Sequence, residues 1–319
     1  MINKPRAMRD VFLKKIHTEM GKDSSIFFVT ADFGSPVLDS ILSDFPDRVV
    51  NVGIAEQNLI NISTGLALEG FKVYAYAIAP FITMRCYEQI KVNLSLLNEL
   101  KNMDVNLIGV GAGFSYVVSG PTHHSIEDIS IMRTLPNFQV ISPSDWVSAE
   151  ASFELTLNSK GPKYFRFDSQ IYPAIYDESF EFPESGFNIL TEGEDAVMIA
   201  TGYMTKHALL VAEELKKDNI DLKLIDLFKL KYVDQSLLAE KLKQFSKVFT
   251  LEEAFIKKGG MDSLVLNLVN DFELKAKVIA MGISDEYKFA LGTREELFAN
   301  YSLDKDSIVD KIKGELNNE

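Results

Sequence analysis

A single carboxylate, Glu56, stands among small and apolar neighbours in residues 51–58 (NVGIAEQN). The segment follows a short apolar run, and an apolar helical period begins at Ile54. Glu56 therefore falls in the first helical turn after a predicted strand, where the helix dipole favours acidic side chains. A carboxylate there can share a proton with a ligand. From the pattern alone, it can equally be an ordinary acidic residue at a helix N-terminus.

Two further stretches carry side chains suited to ligand contact. Phe81 opens the run FITMRCYEQI, and its flat apolar ring can stack on a heteroaromatic group. Residues 111–129 (GAGFSYVVSGPTHHSIEDI) combine a glycine-rich approach, a Gly-Pro turn and two histidines with a capping-box-like sequence before a helix. Taken alone, an aromatic residue at a helix start usually packs in the core, and a loop histidine is often incidental.

The elements that must position these residues alternate between strand and helix. Predicted strands cover residues 25–31, 71–78, 105–112, 138–143, 163–167, 195–202, 221–227, 247–254 and 277–283. Predicted helices cover residues 8–20, 81–100, 126–135, 145–158, 234–245, 294–300 and 305–316, with others after Ile54, Gly202 and Gly260. Such alternation indicates mostly parallel sheets covered by helices. Glu56, Phe81 and the 111–124 loop all follow predicted strands, so we expect them to converge beyond the carboxyl ends of a sheet.

Composition narrows the class of protein. The 319 residues are enough for two domains, and the pattern breaks in a proline- and acid-rich stretch at residues 170–186. A net charge of −13 disfavours nonspecific nucleic-acid binding and provides no polybasic membrane anchor. Cys86 is the only cysteine, which excludes an internal disulfide. Without a signal-peptide-like or membrane-spanning apolar run, we expect a cytoplasmic protein.

Two of these motifs, GIAEQN at residues 53–58 and GPTHHSIED at residues 120–128, resemble the pyrimidine-binding half of the transketolase family of thiamine-diphosphate enzymes. Later stretches (IATG, LFKLKYVD and LEEAFIKKGGMDS) are similar to the family's C-terminal domain. The resemblance implies a two-domain α/β protein. A thiamine-diphosphate pyrimidine-binding fold is expected over residues 1–175, and a transketolase C-terminal-like domain over residues 187–319.

The resemblance also implies roles for the motif residues. Glu56 is expected to hydrogen-bond the aminopyrimidine ring of thiamine diphosphate and to favour the tautomer that removes the thiazolium proton. Phe81 is expected to stack on that ring, with Ile54 and Arg85 as further cofactor contacts. From the residues alone, Arg85 can instead face a boundary between subunits, as can its neighbours Tyr87 and Gln89.

The histidines of the second motif are expected at the substrate. His123 matches the family histidine that contacts the substrate carbonyl or the reaction intermediate, so it is the second predicted catalytic residue. His124 is either a further substrate contact or a packing residue at the start of the following helix.

The substrate end departs from the family pattern for sugar phosphates. Ser119 stands where an Asp that contacts a substrate hydroxyl is usual, and Ser169 stands where an Arg usually grips the phosphate. Arg9 matches a basic residue of the first helix and could bind an anion. Arg166 could replace the missing Arg, or it could be a solvent-facing residue of a strand. We therefore expect the acceptor to be held differently or to be a modified sugar.

The family's diphosphate-binding domain, with its GDG motif and downstream Asn, does not occur in this sequence. The chain therefore resembles the C-terminal subunit of a split transketolase. We expect an N-terminal partner subunit that holds Mg²⁺ and the diphosphate, no metal ligand in this chain, and an α2β2-type assembly. The leading hypothesis is ketol transfer between sugars or sugar phosphates. The alternatives are a deoxyxylulose-phosphate-synthase-like or 2-oxo acid dehydrogenase beta-type subunit, and a non-catalytic regulatory homologue.

Overall fold

A six-stranded and a five-stranded sheet organise the computed structural model, which describes residues 4–317. The chain forms two compact units. The first comprises residues 4–112 and Ile131–Phe182, and the second comprises Gly113–Ser130 and residues 183–317. Two α/β units agree with the predicted fold class. No helix among the described residues is both long and apolar enough to cross a membrane.

The first unit contains an all-parallel sheet. Its strands are β1 (Ile26–Thr30), β2 (Val49–Asn51), β3 (Lys72–Ile78), β4 (Val105–Val110), β5 (Gln139–Ile141) and β6 (Lys163–Phe167), in the order β2-β1-β3-β4-β6-β5. The central strands are buried over nearly their whole length, which explains their continuous apolar sequences. Ile78 pairs with Val110, and Val110 pairs with Phe167. The carboxyl ends of β3, β4 and β6 therefore lie at one edge of the sheet.

The helices of this unit are α1 (Met8–Met20), α2 (Pro36–Asp44), α3 (Glu56–Leu68), α4 (Tyr87–Gln89), α6 (Trp146–Ala151) and α7 (Glu154–Asn158). Helix α5 (Asp128–Arg133) begins in the residues of the second unit and ends in those of the first. Phe12 of α1 packs against Phe153, Phe165 and Phe167, with ring centroids 4.8–5.3 Å apart. The predicted helix over residues 8–20 and strand over residues 163–167 are confirmed. Helix α2 was not predicted, although Ser35 caps it and Pro36 opens it, which is a common start signal.

The predicted long helix over residues 81–100 is helical over most of its length but is not a regular α-helix. The segment has π-helical turns at Phe81–Arg85 and Ile90–Leu96 on either side of α4, and it ends in a 3₁₀ turn at Leu97–Glu99. Cys86 ends the first turn, with φ −120° and ψ 24°, outside helical geometry. Such π-helical turns are frequent at functional sites because they reposition side chains.

The second unit contains a mixed sheet. Its strands are β7 (Phe187–Thr191), β8 (Ala196–Ala200), β9 (Leu222–Leu227), β10 (Lys247–Phe255) and β11 (Lys277–Ile283), in the order β11-β10-β8-β9-β7. Its helices are α8 (Tyr203–Lys217), α9 (Gln235–Leu242), α10 (Met261–Asp271), α11 (Arg294–Asn300) and α12 (Lys305–Asn317). Strand β7 is antiparallel to β9 and was not predicted, because its half-buried edge position leaves no strong apolar run.

An ion pair lies inside the second unit. Arg294, at the start of α11, donates to both carboxylate oxygens of Glu253 on β10, with Nε 2.9 Å from Oε1. Each residue is 2% exposed. The guanidinium also stacks on the Tyr203 ring, its carbon 3.5 Å from the ring centroid. Because both charges are buried, each compensates the desolvation of the other.

We expect Arg294→Met to lower the free energy of unfolding by about 3–5 kcal/mol, because the variant leaves the Glu253 carboxylate buried without its cation. Lys258→Ala is the matched control, since Lys258 pairs with Asp285 at 2.7 Å with both side chains well exposed. Its expected cost is about 0–1 kcal/mol. Denaturant unfolding followed by circular dichroism measures both variants. If both variants lost a similar amount of unfolding free energy, burial would not determine how much the Glu253–Arg294 pair stabilises the protein.

Candidate cofactor and substrate site

The turn between β2 and α3 is organised by Asn51. The Asn51 side-chain oxygen accepts hydrogen bonds from the backbone N–H groups of Gly53 and Asp32, at 2.9 and 3.1 Å. The Asn51 side-chain nitrogen donates to the Asp32 carboxylate at 3.1 Å. Gly53 has φ +70°, a conformation that glycine adopts readily. These contacts set the direction in which the chain enters α3 and hence the position of Glu56.

Glu56 is the first residue of α3 and is 2% exposed. Arg85 Nη1 donates to Glu56 Oε2 at 2.6 Å. The two partners differ in environment, because the Glu56 side chain is 3% exposed and that of Arg85 is 43% exposed. The first unit thus holds a buried carboxylate whose cation reaches it from the solvent side.

Phe81 lies beside this ion pair. The Arg85 guanidinium carbon lies 4.4 Å from the centroid of the Phe81 ring, within the range of a cation–π contact. Cys86 is close as well: burial raises the pKa of its thiol to about 12, and the negative charge of Glu56 adds to the shift. A thiol with this pKa is protonated and inert at neutral pH.

The structure brings Glu56, Phe81 and Arg85 together, whereas the Ile54 side chain faces solvent. The Ile54 side chain is 76% exposed, so it contributes nothing to the apolar surroundings of the carboxylate within the first unit. Its predicted contact with the cofactor stays a prediction.

The predicted anion-binding residues of the first unit lie on separate elements. Arg9, on α1, donates to Asp10 at 2.8 Å; burial lowers its pKa, but the hydrogen bond to Asp10 and the nearby Tyr76 outweigh this and raise it. Arg166 on β6 is only 2% exposed, so the alternative of a solvent-facing strand residue is wrong. Ser169 follows β6 by two residues and is half-buried.

The loop that carries the GPTH motif, which we call the GPTH segment (Gly113–Ser130), belongs to the second unit and is held there by several contacts. Gly113 and Ser125 form an antiparallel bridge. A Cβ on Gly113, where φ is +56°, would collide with the Glu253 carboxylate. The Phe114 ring is buried in the core of the unit. Glu127 accepts a hydrogen bond from the Tyr287 hydroxyl at 2.7 Å. The segment is therefore a fixed loop within this unit.

His123 and Ser119 lie near the end of this loop. The His123 Nδ1 atom is 3.0 Å from the Thr122 hydroxyl, and its ring meets Tyr116 edge-on at 6.4 Å. The backbone N–H of His123 donates to the Gly120 carbonyl at 2.9 Å. His123 is half-buried and Ser119 is exposed, so both side chains are accessible within the second unit.

His124 points into the second unit. It is 3% exposed and packs edge-on against Phe114, with ring centroids 4.9 Å apart. Burial lowers its pKa, although a hydrogen bond to the Val117 carbonyl acts in the opposite direction. Among the described residues, its Nε2 has no hydrogen-bond partner. His124 thus packs the loop as a neutral ring, and its predicted contact with substrate stays a prediction.

The family model for the transketolase pyrimidine-binding domain matches residues 4–174, and the model for the transketolase C-terminal domain matches residues 186–308. The chain belongs to the transketolase family. The predicted resemblance and the two-domain α/β fold class are confirmed.

The relatives of this transketolase-family chain include separate subunits. One of the apulose-4-phosphate transketolase subunits of Phocaeicola vulgatus is 31% identical, over 97% of both chains. A solved split-gene transketolase, described as an inactive β4 tetramer, aligns with a TM-score of 0.85 and 28% identity, covering 98% of this chain and 99% of the other. The 1-deoxy-D-xylulose-5-phosphate synthase of Syntrophotalea carbinolica is 29% identical over 97% of this chain and 48% of its own length.

These relatives confirm that the transketolase-family chain matches the C-terminal subunit of a split transketolase, and that it is a transketolase-type transferase subunit. The family uses thiamine diphosphate, and relatives that are split into subunits imply a partner subunit and an oligomer. The synthase match keeps the deoxyxylulose-phosphate-synthase-like class as the alternative.

Sequence reasoning about this transketolase-family chain missed two positioning residues. Asn51 lies inside the motif used to find Glu56, and an Asn at the end of a strand, two residues before a glycine, is a known turn signal that could have found it. Glu253 lies 140 residues after Gly113 in sequence, and no local pattern links the two. Only the folded chain shows that this carboxylate requires a residue without a side chain at position 113.

We expect His124 to make the stability of this transketolase-family chain pH-dependent. Its folded pKa is below the unfolded value of about 6.5. The unfolded chain therefore binds the proton first, and the free energy of unfolding falls as pH decreases below about 6.5. His124→Asn is expected to reduce this loss of unfolding free energy between pH 7.5 and 5.5, as measured by thermal unfolding.

His207, whose pKa is also lowered by burial, contributes separately. The double variant His124→Asn/His207→Asn is therefore expected to reduce the loss further. Parallel curves for wild type and His124→Asn would contradict the assignment.

Proposed function

We propose that this chain is the C-terminal subunit of a thiamine-diphosphate-dependent transketolase that moves a two-carbon ketol unit from a ketose to an aldose. The proposal divides the chain into a pyrimidine-binding domain over residues 1–175 and a C-terminal domain over residues 187–319. It includes an N-terminal partner subunit that holds Mg²⁺ and the diphosphate, and an α2β2-type assembly.

The observation that carries the proposal is the contact set around Glu56. A planar group with N–H donors, the Arg85 guanidinium, bonds the buried carboxylate and lies over the Phe81 ring at the same time. An aminopyrimidine is likewise planar and carries nitrogen donors. The residues present therefore fit the pyrimidine end of thiamine diphosphate, which when bound supplies a nucleophilic thiazolium carbon.

Each residue of this chain then has a defined task. Glu56 Oε2, which accepts a hydrogen bond from Arg85 Nη1 in the chain alone, would accept one from a protonated ring nitrogen of the pyrimidine and would exchange that proton with it, since the carboxylate is buried away from water. Phe81 orients the ring by stacking. His123 donates a hydrogen bond to the substrate oxygen, and its neighbours Thr122 and Tyr116 fix its ring.

The acceptor end of the proposed site lacks the usual phosphate contact. Ser119 and Ser169 cannot supply positive charge, so we assign the anion contact to Arg9 and Arg166. The relative from Phocaeicola vulgatus is named for apulose 4-phosphate. We therefore include phosphorylated and modified sugars among the proposed acceptors.

Calorimetry with thiamine diphosphate and Mg²⁺ tests the shared site. We expect tight binding only when the chain is mixed with its N-terminal partner subunit. In that complex, Glu56→Gln is expected to lower kcat by about 10²–10⁴-fold, because the amide cannot accept and return the proton. Glu69→Gln, at the exposed opposite end of α3, is the matched control.

Three outcomes of these measurements would count against the proposal. Tight binding by the isolated chain would mean that it carries the diphosphate site itself. Full activity of Glu56→Gln would remove Glu56 from the cofactor site. Cofactor-dependent decarboxylation of a 2-oxo acid without ketol transfer would favour the synthase-like alternative.

Ser169→Arg tests the missing phosphate contact. We expect the KM for a phosphorylated aldose to fall by roughly 10-fold or more, because a charge-assisted hydrogen bond contributes about 1.5–3 kcal/mol. The KM for the same sugar without phosphate is expected to stay unchanged. Ser169→Met has similar bulk without the charge and serves as the control. Equal KM changes for both sugars would show that position 169 does not contact the phosphate.

A further inference from the structure

The Arg85 guanidinium fills two contacts that the proposed function assigns to a ligand. It bonds Glu56 Oε2 at 2.6 Å, and its central carbon lies 4.4 Å from the centroid of the Phe81 ring. The hydrogen-bonding group and the stacking surface of the pyrimidine site are thus both engaged by one side chain of the same unit.

We propose that Arg85 is a displaceable stand-in for the aminopyrimidine: its guanidinium holds the pyrimidine site while no cofactor is bound and swings out when the cofactor enters. This inference rests on the proposed function, because it takes Glu56 and Phe81 as the pyrimidine contacts.

Burial of Glu56 explains why a stand-in is needed. A carboxylate that is removed from water and left without a cation or donor is costly, and a chain without cofactor would carry that cost. Guanidinium suits the task because it is planar, permanently charged and able to stack on aromatic faces. The carboxylate therefore has a partner both before and after the cofactor binds.

The asymmetry of the pair makes Arg85 the partner that can leave. Its side chain is 43% exposed, so the guanidinium can enter water without a large change in solvation, whereas the Glu56 side chain at 3% cannot. The Arg85 backbone stays in place, since its carbonyl accepts a hydrogen bond from the Gln57 side chain at 3.3 Å. The required motion is a side-chain rotation, which is fast compared with movement of a helix.

Displacement of Arg85 weakens the apparent affinity for the cofactor, because binding must first break the Glu56–Arg85 contact. Arg85→Met removes the guanidinium and keeps an apolar side chain over Phe81. In the complete complex with the N-terminal partner, we expect this variant to bind thiamine diphosphate roughly three- to tenfold more tightly, the effect of one partly exposed charge-assisted pair. Calorimetry at saturating Mg²⁺ measures this change.

Thermal unfolding provides a second readout that does not depend on activity. We expect Arg85→Met to lower the Tm of the cofactor-free complex and to leave the Tm of the cofactor-saturated complex close to that of wild type. Lys91→Met removes an exposed charge from the same helical segment and is expected to change neither the affinity nor the two Tm values. Glu56→Gln/Arg85→Met is expected to lose the affinity gain, because the carboxylate that binds both partners is gone.

The outcomes separate this inference from the function on which it rests. No binding by wild type or by Arg85→Met would overturn both. Binding by wild type, together with unchanged or weaker binding by Arg85→Met, would overturn the inference alone and make Arg85 a contact that stays in place beside the cofactor. A similar gain in Lys91→Met would assign the effect to overall charge and would also overturn it.

Discussion

The charge of a buried carboxylate is the constraint on which the first unit's site depends. Glu56 loses nearly all contact with water at the point where α3 begins, and the helix dipole compensates only part of that loss. The remainder must come from a donor or a cation. Asn51 fixes the turn that directs Glu56 to this position, and Arg85 provides the cation. The geometry of the turn and the chemistry of the site are therefore linked through the Glu56 side chain.

The second unit shows how a loop can be held without regular structure. The GPTH segment is tied by the Gly113–Ser125 bridge, by burial of Phe114 and by the Glu127–Tyr287 hydrogen bond. Glu253 lies so close to Gly113 that a side chain there would collide with it, while Arg294 fixes that same carboxylate. A buried ion pair thus sets the space available to the loop that carries His123. The stability that the Glu253–Arg294 pair provides and the position of His123 therefore depend on the same packing.

Local patterns predicted the parts of the molecule that local forces determine. The helix over residues 8–20 and the strands over residues 163–167 and 277–283 follow from strong apolar periods, and their observed bounds agree. The edge strand β7 depends on pairing with β9, which no local window contains, and the non-helical geometry at Cys86 left no signal in the apolar pattern. Glu56 and Phe81 could be proposed from motifs, whereas the placement of Arg85 over both could not. The pairing of β7 with β9 and the contact of Arg85 with Glu56 both join residues that are distant in sequence.

Two Glu–Arg pairs in one chain show how exposure distinguishes a structural pair from an exchangeable one. In the Glu253–Arg294 pair both side chains are 2% exposed, and the guanidinium bonds both carboxylate oxygens. Separating them would leave two buried charges, so this pair is permanent. In the Glu56–Arg85 pair only the carboxylate is buried. Separating this pair leaves one buried charge, which another donor would have to compensate. Two pairs of the same residue types therefore differ in one respect: the first has both charges inside the fold, and the second has its cation at the surface.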